Sequence, residues 1–277
     1  MAIHKFESVA ALGRAVDAIK DESRTRRTGG ISANSGMNLK EWTGETFHES
    51  IASAINGNTD RVAEAEKLLD KLQTSIEVKT RQWGSAVAGA FPCVPDYLIG
   101  QPESMRQLDV TSSDTTPLRV FVCTSSTMSV EWDHLKQRGV AILAATMALC
   151  QSRPVELWTF TTFNGDGDHG ECNVMVRINA SPLCLSEACV ALCSVGYDRN
   201  LCMAWGYAND SYHGSYPRDV RDNLGNEADC TAACRRLLGA SDDDLVIPPS
   251  SCHFTQITSD PVGWVQKIIN QYTANES

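Results

Sequence analysis

The sequence has no apolar run of the roughly 18 residues that a membrane-spanning helix requires, so a helical membrane protein is not expected. The opening residues, Met1-Ala2-Ile3-His4-Lys5-Phe6-Glu7, set no apolar stretch behind Lys5, and a secretory leader is not expected either. Cys-x2-Cys pairs, the usual mark of a structural zinc site, are missing. So are a Gly-x-Ser-x-Gly elbow, a phosphate-binding loop and a dinucleotide fingerprint opening a helix. Positive charge is scarce: 24 Lys and Arg face 34 Asp and Glu, a net charge of −10. Affinity for a nucleic-acid backbone comes from neutralising phosphates with Lys and Arg. A bulk-basic nucleic-acid binder is therefore disfavoured, although a local basic patch is still allowed.

What is present describes a soluble globular protein. The 277 residues suit one large domain or two small ones, and 42% hydrophobic with 21% charged residues is ordinary globular usage. Eleven cysteines are many, their number is odd, and no leader is expected with them. Free thiols in a reducing cytoplasm are the expectation. Cys189 and Cys193 are spaced i, i+4, as are Cys230 and Cys234, with Cys184 nearby. A zinc site pooling these pairs with His213 or His253 is one reading. The other is that each is a small buried hydrophobe in a packed helix.

Apolar steps of three and four predict helices over 6–19, 46–55 and 59–74, with Ser8 as a cap for the first. Between them, 21–38 has no periodicity and reads as a loop carrying Arg24, Arg26 and Arg27. Alternation over 75–83 predicts a strand, and a polar linker over 110–117 suggests a boundary. The division expected is a mainly helical region over 1–112, with one or two strands, followed by an α/β domain over 118–277. In that second part, strands are predicted at 118–123, 154–163, 172–179 and 244–247. Helices are predicted at 130–150, 183–195, 228–238 and 261–272, with Ser181-Pro182 opening the second of these. Residues 201–207 suit a strand or a short helix. The pattern implies an α/β fold with a mainly parallel sheet covered by helices.

In doubly wound sheets, ligands bind beyond the carboxyl ends of the strands. The hydroxyl-rich stretch Cys123-Thr124-Ser125-Ser126-Thr127-Met128-Ser129 falls at such a place. Here residues 118–275 resemble the von Willebrand factor A-type domain, whose first strand ends in Asp-x-Ser-x-Ser and binds a divalent metal. In this register Cys123 replaces the aspartate, followed by Ser125, Thr127 and Ser129. Hard cations want anionic oxygen ligands, so the resemblance implies a relic of the metal site and no bound metal. An ordinary strand-to-helix turn is the plainer alternative. Asn164-Gly165-Asp166-Gly167-Asp168-His169-Gly170 imitates the start of a calcium loop, but Met175 stands where a bidentate glutamate belongs. It reads as a glycine-rich connection between strands. Cys123 with His134, His169 or His213 offers a Cys–His pair of the kind that any chain rich in both residues contains.

Aromatic and basic residues interleave around Arg81 and Trp83, and again at Tyr212, His213, Tyr216, Arg218 and Arg221. Bases stack on aromatic rings while cations hold phosphates, which is how single strands are bound without sequence preference. Ordinary surface is the alternative.

Trp42-Thr43-Gly44, Val78-Lys79-Thr80-Arg81-Gln82-Trp83 with Gly89-Ala90-Phe91, Val94-Pro95, Gly100-Gln101-Pro102-Glu103-Ser104-Met105 and Arg138-Gly139-Val140 together resemble a family of tailed-phage proteins. The resemblance runs from about residue 42 over most of the chain. It implies action in the cytoplasm of an infected bacterium, as a non-enzymatic accessory protein. Its partner would be a phage or host protein, such as an RNA polymerase brought to single-stranded DNA, with no cofactor and no membrane. Two other readings are a hydrolase or metal-dependent enzyme using the loop after Cys123, and an acidic inhibitor of a host protein.

Overall fold

The computed structural model describes residues 2–19, 43–58, 62–63, 65–67, 83–86, 91–92, 101–102, 105–108, 117–126, 130, 132–165, 172–180, 183–209, 212–215, 217–251 and 256–273. In chain order the elements begin with β1 (Ala2–Phe6), α1 (Val9–Asp17) and α2 (Phe47–Asn56). Three short strands follow: β2 (Trp83–Ala86), β3 (Phe91–Pro92) and β4 (Met105–Leu108). Then come β5 (Leu118–Cys123), α3 (Trp132–Ser152), β6 (Val155–Gly165), β7 (Cys172–Ile178) and α4 (Leu185–Cys193). A π-helix (Tyr197–Cys202) leads into α5 (Met203–Asn209), β8 (Tyr212–Ser215) and α6 (Arg218–Asp222). The chain closes with α7 (Glu227–Leu238), β9 (Leu245–Ile247), α8 (Gln256–Ser259) and α9 (Pro261–Thr273).

The main sheet has the order β1-β7-β6-β5-β9, with β8 paired to the far end of β6. The pairs β5·β6, β5·β9 and β1·β7 are parallel, whereas β6·β7 and β6·β8 are antiparallel. The fold is α/β with a mostly parallel sheet, as expected, and β6·β7 and β6·β8 are its antiparallel pairs. The connection over 166–171 is too short for the crossover that a parallel return from β6 to β7 needs. Sequence 164–170 therefore joins two antiparallel strands. Strands β2, β3 and β4 form a separate antiparallel sheet.

Period-2 alternation sorts the side chains of β5 between two cores. Leu118, Val120 and Val122 join a large cluster with α1, α3, α4 and α9, while Phe121 and Cys123 join a smaller one with α6 and α7. Strand β6 divides likewise, Leu157 and Phe163 to the first face and Phe160 to the second.

The start of the chain differs from the helix expected over 6–19. Residues 2–6 form an edge strand beside β7, with Ala2 opposite Cys172. The helix begins later, at Val9, and Ser8 caps it by accepting from the Ala11 amide at 3.0 Å. Val9, Leu12 and Val16 of α1 and Ile51 of α2 share the cluster that holds Val174 and Leu192. Among the described residues, a boundary at 112–118 thus does not separate two cores. Thr46 opens α2 with a capping box: its hydroxyl accepts from the Glu49 amide at 3.2 Å, and Glu49 accepts from the Thr46 amide at 2.7 Å. Sequences 21–38 and 68–82, where a loop and the helix-to-strand passage were expected, lie outside the described residues.

Candidate functional site

The carboxyl ends of β5 and β9 meet beside the middle of β6 in one crest, closed by hydrogen bonds from several elements. Ser250, just past β9, donates its amide to the carbonyl of Ser125 at 2.9 Å. Thr124 donates its amide to the carbonyl of Phe160 at 3.0 Å and shares a 2.8 Å hydroxyl contact with Thr161. Below them, Arg138 reaches from α3 and donates Nη2 to the carbonyls of Cys123 and Pro248.

The π-helix brings charge to this crest. All six of its residues are buried, including Asp198, Arg199 and Asn200. A π-turn is rare and accumulates at functional sites. Asp198 Oδ1 accepts from Thr161 Oγ1 at 2.7 Å and from Thr124 Oγ1 at 3.5 Å. Burial pushes the carboxyl of Asp198 above its ordinary range, against the lowering effect of those hydroxyls and of Arg199. Tyr197 and Thr159 hold the preceding turn to the sheet through a 2.8 Å hydroxyl contact. Asn200 continues the network, donating Nδ2 to Ser50 Oγ at 2.7 Å and to the carbonyl of Glu45 at 3.3 Å. The carboxylate of Glu45 is itself buried and accepts from Ser194 and Ser53. Gly196 makes the close approach necessary: a Cβ there would lie 2.5 Å from Ser50 Oγ and 2.8 Å from Glu45 Oε1.

The expected relic site is only partly assembled. Cys123 points to the second face of the sheet, into the cluster with Phe160, Val220 and Cys234, where its thiol meets Ser125 and not the Thr124–Thr161 hydroxyl pair. Burial raises its thiol to about 12. Ser125 is buried in the crest, while Thr127 and Ser129 lie outside the described residues. The carboxylate that meets the hydroxyls of the crest is Asp198, from a segment some seventy-five residues after Cys123. These groups do not fit a hard dication. The single carboxylate already takes hydroxyl donors, and Arg199 beside it supplies positive charge. Among the described residues, no group of three or more His, Cys, Asp and Glu is placed to hold a metal.

A zinc site pooling the cysteine pairs is ruled out by the sheet. Cys189 and Cys193 sit in the first core, Cys230 and Cys234 in the second, on opposite faces, and Cys184 is exposed. A Cys123–His134 pair fails as well, because His134 is exposed on the first turn of α3 and Cys123 is wholly buried.

Of the nucleic-acid candidates, Arg24, Arg26, Arg27, Arg81 and Tyr216 lie outside the described residues. Tyr212 belongs to β8 and Arg218 opens α6, and for both the description stops at the backbone. Arg221 is exposed and faces Asp222 at 3.5 Å. Sequence reasoning missed Asp198, Arg199, Asn200 and Glu45. The polar run at 198–200 reads locally as a loop, and the only hint of burial is the apolar residues on both sides. On the second face, Thr162 Oγ1 and both side-chain polar atoms of Asn173, a directly opposed pair, are buried without a hydrogen-bond partner.

The same stretch that carries this network is matched from end to end by one family description. The chain belongs to the DUF7192 family. That family is described as a domain of unknown function, and its match spans residues 1–274. No curated protein and no solved structure matches the chain. Within the match fall both the hydroxyl loop after β5 and the π-helix with Asp198. No described helix is long and apolar enough to cross a membrane.

Proposed function

We propose that this chain is a non-enzymatic accessory protein of a tailed phage and works as a macromolecular interaction module. In this reading its α/β core is a degenerate von Willebrand A-type domain, acting in the cytoplasm of the infected bacterium. It brings a phage RNA polymerase to single-stranded DNA. The state of Cys123 carries the non-enzymatic part: a wholly buried thiol raised to about 12 is neutral at physiological pH and out of reach of a substrate. The hydroxyls of Thr124 and Thr161 are likewise committed to Asp198. A crest tied in this way is a rigid platform for the loops above it, which suits recognition. The von Willebrand-like part is supported by the strand order β7-β6-β5-β9 with β7 reversed, and by the hydroxyl loop that follows β5.

The test is affinity capture of the tagged, full-length protein from infected cells, with mass spectrometry of what accompanies it. Enrichment of RNA polymerase subunits over a tagged control is the expected result. Capture that enriches no polymerase subunit would remove the polymerase from the proposal.

A further inference from the structure

One cross-strand pair on the second face of the main sheet breaks the hydrogen-bonding rule that the rest of its strands obey. We propose that this pair, Thr162 of β6 and Asn173 of β7, is a binding site for an amide group carried by a partner protein, either a peptide unit or a side-chain carboxamide, entered from the β1 edge of the sheet. The site is separate from the crest around Asp198 and does not rest on the polymerase as partner.

The two residues stand directly opposite each other in the antiparallel ladder. Asn173 is wholly buried and Thr162 is 2% exposed. Among the described residues, neither Thr162 Oγ1 nor Asn173 Nδ2 and Oδ1 has a hydrogen-bond partner. Buried polar side chains are almost always satisfied, and each orphan lowers stability. The hydroxyls on the first face of β6 follow that rule. Thr159 meets Tyr197 Oη at 2.8 Å, and Thr161 donates to Asp198 at 2.7 Å. On these two strands the exception is confined to one pair, and it joins three unsatisfied atoms at one place.

Those atoms define the occupant. Nδ2 and Oγ1 can donate, whereas Oδ1 only accepts. A carbonyl beside an N–H satisfies all three, the carbonyl accepting from Nδ2 and Oγ1 and the N–H donating to Oδ1. A carboxylate or phosphate would set negative charge against Oδ1, and a cation would leave Nδ2 without an acceptor. The amide is neutral, so the net charge of −10 does not oppose it. Phe160 and Met175, the next opposed pair on the same face, belong to the second core and give the site an apolar floor, where a hydrogen bond is stronger than in water. Ile3 of β1 lies in register with Asn173, and at 41% it is the one large hydrophobic exposed among the described residues. Solvent thus begins one strand spacing, about 4.8 Å, from Asn173. Ile3 also offers the carrier of the amide an apolar contact beside the site.

The probe is N-methylacetamide, a bare peptide group, with its ester analogue methyl acetate as the control that lacks the N–H. Each is titrated to about 0.1 M into the isotope-labelled, full-length protein, since so small a fragment binds weakly. In nuclear magnetic resonance spectra, the side-chain amide of Asn173 and the backbone amides of Thr162 and Asn173 should shift saturably with the amide and not with the ester. Thr162→Val with Asn173→Leu keeps the shapes and removes the polar atoms. This double variant should lose the shifts and, without probe, melt about 2–4 °C higher than the parent. Equal shifts with the ester, or none with either compound, would overturn the proposal. A double variant that melts lower than the parent would do the same, since the pair would then serve the fold itself. Uracil, whose ring also sets a carbonyl beside an N–H, binding more tightly than N-methylacetamide would reassign the site to a nucleobase. L-glutamine binding more tightly would reassign it to a free small amide. A water signal at Asn173 that the amide does not displace would leave an internal water as the only occupant and refute the amide site.

Discussion

The guanidinium of Arg138 ties together the ends of two neighbouring strands: Nη2 donates to the carbonyl of Cys123 at 3.1 Å and to that of Pro248 at 2.7 Å. Arg138 is buried on α3, the helix that follows the loop it braces. Truncating it strands two buried acceptors, each costing roughly 1–3 kcal/mol. Arg138→Met should therefore destabilise the protein by about 2–5 kcal/mol in urea unfolding. Arg138→Lys should recover part of the loss, because an ammonium keeps the charge but not the planar fork. A midpoint unchanged in Arg138→Met would show that the tie contributes nothing to stability.

The next residue tests a helix crossing. A Cβ on Gly139 would lie 2.3 Å from the carbonyl oxygen of Leu192 and 2.7 Å from Cys193 Sγ, so α3 and α4 touch there backbone to backbone. Gly139→Ala should cost about 1–3 kcal/mol by overpacking. Gly225→Ala, whose Cβ would meet nothing within 4 Å, is the matched control and should be near neutral. Thermal or urea unfolding of the two variants, compared with the parent, checks both.

Legibility in the sequence followed the range of the interactions involved. Strands β5, β6 and β7 and helix α3 declare themselves locally, by alternation or by an apolar run of helical length. Strand β1 does not, because Phe6 also fits the helical stripe of Val9 and Leu12, and its partner β7 lies about 170 residues away. The cap expected at Ser181-Pro182 falls outside the described residues, and α4 instead starts after Cys184, which makes no side-chain cap bond. At the crest, the hydroxyl loop was readable from its position after an apolar strand. The carboxylate that completes it was not, since Asp198 reaches Thr124 only through the packing of a π-helix against the sheet. The motif Arg138-Gly139, conspicuous in sequence only through resemblance, acquires two physical roles: a tie and a crossing.

Asp198 makes stability depend on pH with a definite sign. Burial raises its folded pKa above the unfolded value. The folded state then holds more protons than the unfolded one between those two values, so this group's contribution falls as pH rises through that window. It is fully present below the unfolded pKa and lost above the folded one. Asp198→Asn removes the titration, so its unfolding free energy should fall less than the parent's between acid and neutral pH. Parallel pH profiles for the two proteins would assign the dependence to other groups.

Thiol reactivity should follow burial. Among the described cysteines Cys184 is exposed, while Cys123, Cys189, Cys193, Cys202, Cys230 and Cys234 are buried. In brief iodoacetamide treatment of the folded protein, peptide mapping should find Cys184 modified and those six protected. Denaturing titration without reductant should count about all 11 thiols in the chain. Rapid labelling of Cys123 in the folded state would contradict the neutral, enclosed thiol on which the non-enzymatic reading rests.

Single-stranded DNA binding is the prediction on which charge and local sequence disagree. A net charge of −10 opposes it, whereas Arg24, Arg26 and Arg27, together with Tyr212, Tyr216, Arg218 and Arg221, favour it. Three arginines contact about three phosphates, and at roughly −0.7 per contact the salt slope should be only about −2. Binding should thus be weak, tolerant of sequence and better for single strands than for duplex, because stacking needs unpaired bases. Replacing the three loop arginines with alanine should flatten the salt dependence without unfolding the protein, since 21–38 carries no apolar stripe to lose. Replacing Arg221 as well should weaken binding further, because its guanidinium is exposed and faces Asp222 at 3.5 Å in an open surface pair. Fluorescence anisotropy with a labelled oligonucleotide at about 50 mM salt, where phosphate contacts are little screened, measures both quantities. No binding there at tens of micromolar protein would remove DNA from the proposed function and leave protein partners alone.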